Sequence, residues 1–356
     1  MRIIIAEDGY VSHIYGKALV EGFSSKGHDV YHFKWFEYFE GRQYKKEIRS
    51  FKDLFYKVQN KFRYGPVVNR INNDFVNFVS EVEPDLIFLY RNTHLTATTM
   101  SFIKKSHSKA KIFYYNNDDP FSKSYPKYFW RLFFSSLKYC DHIFSYRFVN
   151  INEYKSLNPS IPVTLLRSYY LKDESSSVSS LEKKYSSDVV FIGHFENDGR
   201  DEYLKTLVEN GINLRIYGPE WHNSRHFTFL NKNCGPIRPI FTDYNLVLNS
   251  SKIALVFLSK RNRDTYTRRN FEIPATKTFM LSERTSDLEN LFIPEVEASF
   301  FSSKQELLEK VTYYLQNDGL RTKVALRGYK RLLVDGHEVL NRCDQILKKL
   351  NLINDK

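Results

Sequence analysis

The first thirty positions change period twice. Arg2-Ile3-Ile4-Ile5-Ala6 is an unbroken apolar run bounded by acids and Gly9, the pattern of a strand buried on both faces. Ile14, Ala18, Leu19 and Phe23 then recur at helical spacing. They predict a helix from about His13 to Ser25, capped by Ser12 and stopped by Gly27. Asp29-Val30-Tyr31-His32-Phe33 begins a second strand, and strand, helix and strand with short connections make a parallel, right-handed βαβ unit. Similar runs follow at Pro84–Tyr90, Ala110–Tyr115, Asp141–Ser145 and Pro162–Leu166. Residues 1–170 therefore read as one doubly wound, Rossmann-like α/β domain.

Residues 171–187 contain the polar, Ser-rich stretch from Lys172 to Ser187, which reads as a linker. A second α/β series occupies residues 188–356. Its strands are Asp188–Gly193, Leu214–Gly218, Ile253–Leu258 and Thr278–Leu281, with a helix over Arg200–Asn210. Two amphipathic helices, about Lys304–Gln316 and Leu320–Val334, precede the Asp335-Gly336 break. A last helix, Val339–Leu350, belongs to this domain by sequence order, with packing back on the first domain as the alternative. Two such domains in tandem predict a ligand cleft at the carboxyl ends of both sheets.

The length of 356 residues suits two domains, each with its own core. Hydrophobic residues at 42% and charged residues at 26% are ordinary globular usage, which excludes disordered and collagen-like classes. No run approaches the ~18 apolar residues of a membrane span, and the amino-terminal run lacks a signal-peptide core. A cytoplasmic protein is expected. Cys140, Cys234 and Cys343 lie far apart without CxxC spacing, which supports neither a disulfide framework nor a zinc site. The balance of 53 basic against 41 acidic residues gives +12, implying an anionic partner. Aromatic content reaches 16%, which fits either such an interface or a codon bias towards Phe and Tyr.

Glu7-Asp8-Gly9-Tyr10 stands where a dinucleotide fingerprint would follow the first strand, and Walker A, HExxH and GxSxG motifs are missing. Oxidoreductase, P-loop NTPase and α/β-hydrolase readings lose support together. What remains is a constellation in the second half. Gly193 and Gly218 each end a strand, where a missing side chain lets a backbone N–H approach a phosphate. Arg200 opens the next helix. Arg268 and Arg269 precede Glu272 by four and three residues, which suits guanidinium contacts to a pyrophosphate and a carboxylate on a ribose diol. An ordinary Arg–Glu pair on a solvated helix has the same spacing.

The stretch Arg269, Phe271-Glu272-Ile273-Pro274-Ala275 and Phe279-Met280-Leu281 resembles the carboxy-terminal half of CgeB-like glycosyltransferases, relatives of the group 1 glycosyltransferases with the GT-B fold. The likeness continues through Leu288–Phe292, Glu295-Val296-Glu297, Phe301, Glu306-Leu307, Tyr313–Leu315, Arg321, Gly328, His337 and Arg342. Upstream it takes in Asp188–Gly193 with Arg200, and Asn117-Asp118-Asp119-Pro120. The resemblance implies sugar transfer from a nucleotide-sugar donor, bound by the second domain, to a glycan or lipid-linked acceptor bound by the first. Glu272 would hold the ribose, Arg268 or Arg269 the diphosphate, and Gly193 and Gly218 would lie beneath the nucleotide. Lys277 stands about where the family has glycine, and would either add a phosphate contact or obstruct the site.

A departing nucleoside diphosphate needs fixed positive groups, for which Arg200, Arg268 and Arg269 are the candidates. An inverting transfer also needs a base near the acceptor hydroxyl, from Asp8, His13, Asp118 or Asp119 at first-domain strand ends. Asp118-Asp119 also reads as a metal pair, or as a turn before Pro120. The class works without a bound metal, so no metal or other cofactor is expected. Tyr44–Arg63 and Phe121–Tyr139 interleave bases with aromatics, as a peripheral enzyme at the inner membrane face would require; the alternative is aromatics in the core with solvated lysines. No nucleic-acid motif appears, so no nucleic-acid partner is expected. The rival readings are a nucleotide-sugar epimerase and a non-catalytic binding module of the same fold.

Overall fold

In the computed structural model, described for residues 1–9, 12–42, 47–178 and 182–354, the chain forms two compact units. Met1–Arg167 and the chain from Val339 onward make one, and Ser168–Glu338 the other. The first contains β1 (Arg2–Glu7), β2 (Asp29–Lys34), β3 (Leu86–Tyr90), β4 (Lys111–Asn116), β5 (His142–Ser145) and β6 (Val163–Leu165). They form a parallel sheet in the order β2-β1-β3-β4-β5-β6. Ile5 of β1 lies opposite His32 on one side and Phe88 on the other. The chain moves outward from β1 to β2, then returns to lay β3 on the other flank. That reversal creates a crevice at the carboxyl ends of β1 and β3.

Helices α1 (Gly16–Ser25), α2 (Phe51–Phe62), α3 (Pro66–Val82), α4 (Ala97–Ser106), α5 (Arg131–Ser136) and α6 (Phe148–Leu157) connect these strands. Helix α1 begins later than its periodicity predicts. The Ser12 hydroxyl donates to the buried Glu7 carboxylate instead of capping, and Tyr15 takes the cap position without a side-chain bond. The aromatic wealth of this unit is largely core: Trp35, Phe39, Phe75, Trp130 and Phe133 lie in one buried cluster. In Phe121–Tyr139, therefore, the large aromatics pack inward or lie half-buried, while Lys123, Lys127, Arg131 and Lys138 face solvent. In Tyr44–Arg63, Tyr44, Lys45 and Lys46 lie outside the described residues.

The second unit contains β7 (Ser187–Ile192), β8 (Leu214–Tyr217), β9 (Ser251–Val256), β10 (Phe279–Glu283) and β11 (Ser299–Phe301). They are parallel in the order β11-β10-β9-β7-β8, which puts a second reversal between β7 and β9. Its helices are α7 (Arg200–Glu209), α8 (Phe227–Asn233), α9 (Tyr244–Asn249), α10 (Arg269–Ala275), α11 (Ser286–Leu291), α12 (Lys304–Gln316) and α13 (Asp318–Val334).

The boundary between units falls after Arg167, and the Ser-rich stretch is fastened to the second unit. Ser176 and Val178 donate their N–H groups to Asn245 and Asn249, an i,i+4 pair on α9, and Asn249 returns a bond to the Ser176 carbonyl. Residues 179–181 of that stretch lie outside the described residues. A last helix, α14 (Val339–Asn354), belongs to the first unit although sequence order assigns it to the second domain. It packs on α1, where Gly22 leaves room for Cys343, and Arg342 donates to the Arg167 carbonyl at 2.8 Å.

Two predictions follow from this packing. A Cβ at Gly22 would lie 2.8 Å from the Cys343 sulfur. Gly22→Val is therefore expected to cost about 2 kcal/mol of stability, read by denaturant unfolding. His142, buried in β5 against the Thr164 hydroxyl at 2.8 Å, has its pKa lowered to about 3 by burial and then by the Lys349 charge. The folded state holds it neutral while the unfolded chain takes a proton below about pH 6.5. Its contribution is present above that value and is lost as pH falls from there towards 3, at up to ~1.4 kcal/mol per pH unit. His142→Gln should flatten that part of the stability–pH profile.

Candidate functional site

In the second unit, the reversal between β7 and β9 is where a doubly wound sheet opens to ligands. Gly193 follows β7 and donates its N–H to the Tyr217 carbonyl at 2.8 Å; Gly218 follows β8 and donates to the Arg238 carbonyl at 3.0 Å. Neither N–H is left for a phosphate, which corrects the expectation that these glycines present backbone donors. Their need for glycine is steric. Gly218 sits at φ +147°, and a Cβ there would lie 1.9 Å from the Gly193 oxygen. The indole N–H of Trp221 closes the arrangement on that same oxygen at 3.0 Å.

Arg200 is also placed differently from its expected role. The side chain is buried, with Nε and Nη2 donating to the two Asp198 oxygens at 2.9 and 2.7 Å. Nη1 donates to the His194 carbonyl at 2.8 Å, and Nη2 to the Leu258 carbonyl at 3.3 Å. Leu258 follows β9 and His194 follows β7, so this guanidinium ties together the two strand ends that flank the crevice. With its donors committed to protein oxygens, Arg200 is a positioning residue rather than a diphosphate ligand.

The Arg268-Arg269-Glu272 constellation lies at the start of α10, held by Asn270. The Asn270 side chain is fully buried; it accepts from the Thr267 N–H at 2.8 Å and donates to the Ser282 hydroxyl at 3.2 Å. Glu272 is buried, with Arg268 Nε at 2.5 Å from Oε1 and the Tyr244 hydroxyl donating to Oε2 at 2.8 Å. Burial, then the Glu272 charge, raises the Tyr244 pKa well above its ordinary value and keeps that donor protonated. Arg269 is half-buried, its Nε is shielded from water, and its guanidinium has no hydrogen bond or ion pair among the described residues. Its positive charge acts on both Tyr244 and His194. His194 keeps an exposed edge; desolvation of its enclosed side, then Arg269, lowers its pKa.

Lys277 stands apart from this group of side chains. It lies just past the carboxyl end of α10 at φ +61°, the left-handed position that usually takes glycine at a helix end. Its ammonium rests over the Tyr329 ring of α13, 5.0 Å from the centroid. Arg269 opens α10 and Lys277 follows its other end, roughly 12 Å away at the helical rise.

In the first unit, the crevice between β1 and β3 is lined by charges. Arg91 follows β3 at φ +56°, with Nη1 at 3.4 Å from Asp8 and Nε at 3.0 Å from Asp118. Glu7 ends β1 in the core, taking bonds from Ser12 and, at 2.8 Å, from His32. His13 is exposed in the turn before α1 and makes no hydrogen bond among the described residues. Asp119, an expected base, is corrected. It is fully buried and accepts from the Phe121 N–H at 3.0 Å and the Asn150 amide at 2.8 Å, which makes it the clamp of the turn around Pro120. Asp118 and Asp119 thus serve different partners. No cluster of three or more His, Cys, Asp or Glu side chains suited to a metal occurs among the described residues.

Sequence reasoning missed His194, Tyr244 and Arg91. Arg91 directly follows a strand-terminal residue and His194 lies two past one, a usable signal; Tyr244 sits in a short helix with none.

The model of a family described as glycosyl transferase-like matches residues 200–348, a stretch that includes Arg200, Arg268, Arg269 and Glu272. No curated protein matches in sequence. Among solved structures, a sucrose-phosphate synthase from Thermosynechococcus elongatus superposes with a TM-score of 0.70 at 12% identity, over 100% of both chains. Anabaena Alr3699/HepE in complex with UDP-glucose gives 0.69 at 10%, over 99% of each chain. A mutant of S. aureus TarM in complex with Fondaparinux, alpha-GlcNAc-glycerol and UDP gives 0.64 at 8%, over 99% of this chain and 100% of that one. At these identities the likeness is one of fold, and the fold is GT-B, built of two Rossmann-like α/β domains.

The contact between glycines yields a sharp expectation. Gly218→Ala should cost more than about 2 kcal/mol, because the new methyl meets backbone and the φ is unfavourable. A melting curve of the variant measures it.

Proposed function

We propose that this chain is a glycosyltransferase, taking a sugar from a nucleoside-diphosphate sugar and passing it to a glycan or lipid-linked acceptor in surface polysaccharide or glycoconjugate assembly. The observation that carries the reading is Arg269: a half-buried guanidinium with no ion pair among the described residues, beside a crevice at strand carboxyl ends. Protein interiors pair their charges, so a cation left unpaired in a concave, polar setting is poised for an anionic ligand. The family match over residues 200–348, the resemblance to CgeB-like sequences and the GT-B fold support the same reading.

In this mechanism Arg269 binds the diphosphate and stabilises the charge that grows on it as the glycosidic bond breaks. Glu272 keeps Arg268 in place and offers its remaining lone pairs to the ribose hydroxyls. Tyr244 orients that carboxylate. In the first unit, His13 and Asp8 are the groups proposed to receive the acceptor proton. No metal or other cofactor takes part, and the reaction is cytoplasmic.

The test is nucleotide binding read by thermal shift with UDP, GDP, ADP, dTDP and CMP. A ligand at a hundred times its Kd should stabilise the wild type by about 2.7 kcal/mol. Arg269→Ala should weaken nucleoside-diphosphate binding by about 2 kcal/mol, roughly thirtyfold, with the ligand-free melting point little changed because no internal bond is lost. Glu272→Ala is the poorer probe: it strips the buried Arg268 of its counter-charge and lowers stability as well as affinity. Lys277→Gly should leave nucleotide affinity unchanged. A melting point unmoved by every nucleotide at millimolar concentration overturns the reading.

A further inference from the structure

Helix α2 is turned inside out. Phe51, Leu54, Phe55, Val58 and Phe62 recur at i, i+3, i+4, i+7 and i+11, an arc of about 100° at helical spacing, which is the stripe a surface helix normally buries. Here all five side chains are exposed, Phe51 by 82%, and Tyr64 beyond the helix end by 75%.

The face that packs inward is polar. Asp53, 1% exposed, takes the Arg42 guanidinium at 2.7 Å and the Arg49 N–H at 3.2 Å. Gln59 accepts from the Val67 N–H at 2.7 Å, and Tyr56 donates to Glu40 at 3.0 Å. The orientation is therefore fixed by specific bonds, and the apolar stripe is left to face outward.

The geometry points to α2 as an interfacial docking helix that lays its Phe-rich stripe into an anionic lipid bilayer. Charge selects this occupant. Lys57 and Lys61 flank one side of the stripe, while Arg131 donates to the Phe62 carbonyl at 3.2 Å and extends the basic rim past the helix end; Lys52, on the other side, is paired with Glu40 at 2.9 Å. A second copy of the chain would bring like charges together along the Lys57–Lys61 edge and Arg131; anionic headgroups neutralise them while the rings enter the acyl boundary. At 12 residues the helix is too short to span and of suitable length to lie in the plane, and no helix among the described residues is long and apolar enough to cross a membrane. The surface is independent of the nucleotide reading, although a bilayer-held acceptor would give both a common setting.

The test is co-sedimentation of the full chain, without nucleotide, with vesicles of phosphatidylcholine alone or mixed with phosphatidylglycerol. The wild type should bind the mixed vesicles, lose binding as salt rises, and bind the neutral ones weakly. Phe51→Ser with Phe55→Ser should cut binding by roughly tenfold or more while preserving circular dichroism and melting, since both rings are exposed. Lys57→Glu with Lys61→Glu should cut binding to mixed vesicles by about fivefold or more per site, and leave binding to neutral ones unchanged. Equal binding by the Ser variant, or no binding by the wild type at low salt, overturns the proposal. So does a wild-type dimer that the Ser variant dissolves while neither protein binds vesicles.

Discussion

A buried guanidinium at the start of α7 governs the second unit. Arg200 lies out of water against Phe191 and Phe257, where an isolated charge would cost several kcal/mol. Asp198 compensates it through two bonds and Glu196 adds a second carboxylate at 3.6 Å, while the carbonyls of His194 and Leu258 accept from the same guanidinium. Those carbonyls lie two residues beyond the two strands between which the sheet reverses. The ion therefore fixes the width of the crevice and the position of His194. Arg269, by contrast, has no hydrogen bond or ion pair to its guanidinium among the described residues.

The first unit reaches a related solution with different residues. Arg91 stands just past β3, at the reversal between β1 and β3, and is neutralised by Asp8 and Asp118 from the neighbouring strand ends. Beside it, Glu7 fills the space under the first turn of α1, where Gly16 is obligatory because a Cβ would lie 2.0 Å from the carboxylate. In both units, charges at the open end of a parallel sheet do structural duty first. Among the described residues, the His13 ring and the Arg269 guanidinium lie outside those pairings and make no hydrogen bond.

Much of this was legible in the chain. Parallel strands buried on both faces appear as continuous apolar runs, so β1, β3, β4, β5, β7 and β9 are readable from Ile, Val, Phe and Leu alone. The three-residue β11 and the short helices α8 and α9 carry too little pattern to register. The Arg268-Arg269-Glu272 spacing marked the right helix, but spacing cannot tell which arginine the glutamate takes; that depends on Tyr244, from a distant helix. Asp119 looked catalytic because its partner Asn150 is thirty-one residues away. Lys277 looked like a site residue because its left-handed φ, which explains the glycine expected there, cannot be seen in a lysine.

The aromatic surplus separates along the same physical line. Trp130 and Phe133 have aromatic neighbours that enclose them, and their flanking lysines simply reach water. The rings of α2 have no such enclosure, because Asp53 and Gln59 have already committed the opposite face to the protein. Composition and codon bias predict how many Phe residues a chain contains, but not which way a helix is rolled. Rolling α2 by half a turn would bury its five apolar side chains and expose its polar ones, the arrangement that hydrophobic burial alone favours. Specific hydrogen bonds hold the helix against that preference, so the exposed stripe is a feature maintained at the expense of burial, as expected of a surface with a partner.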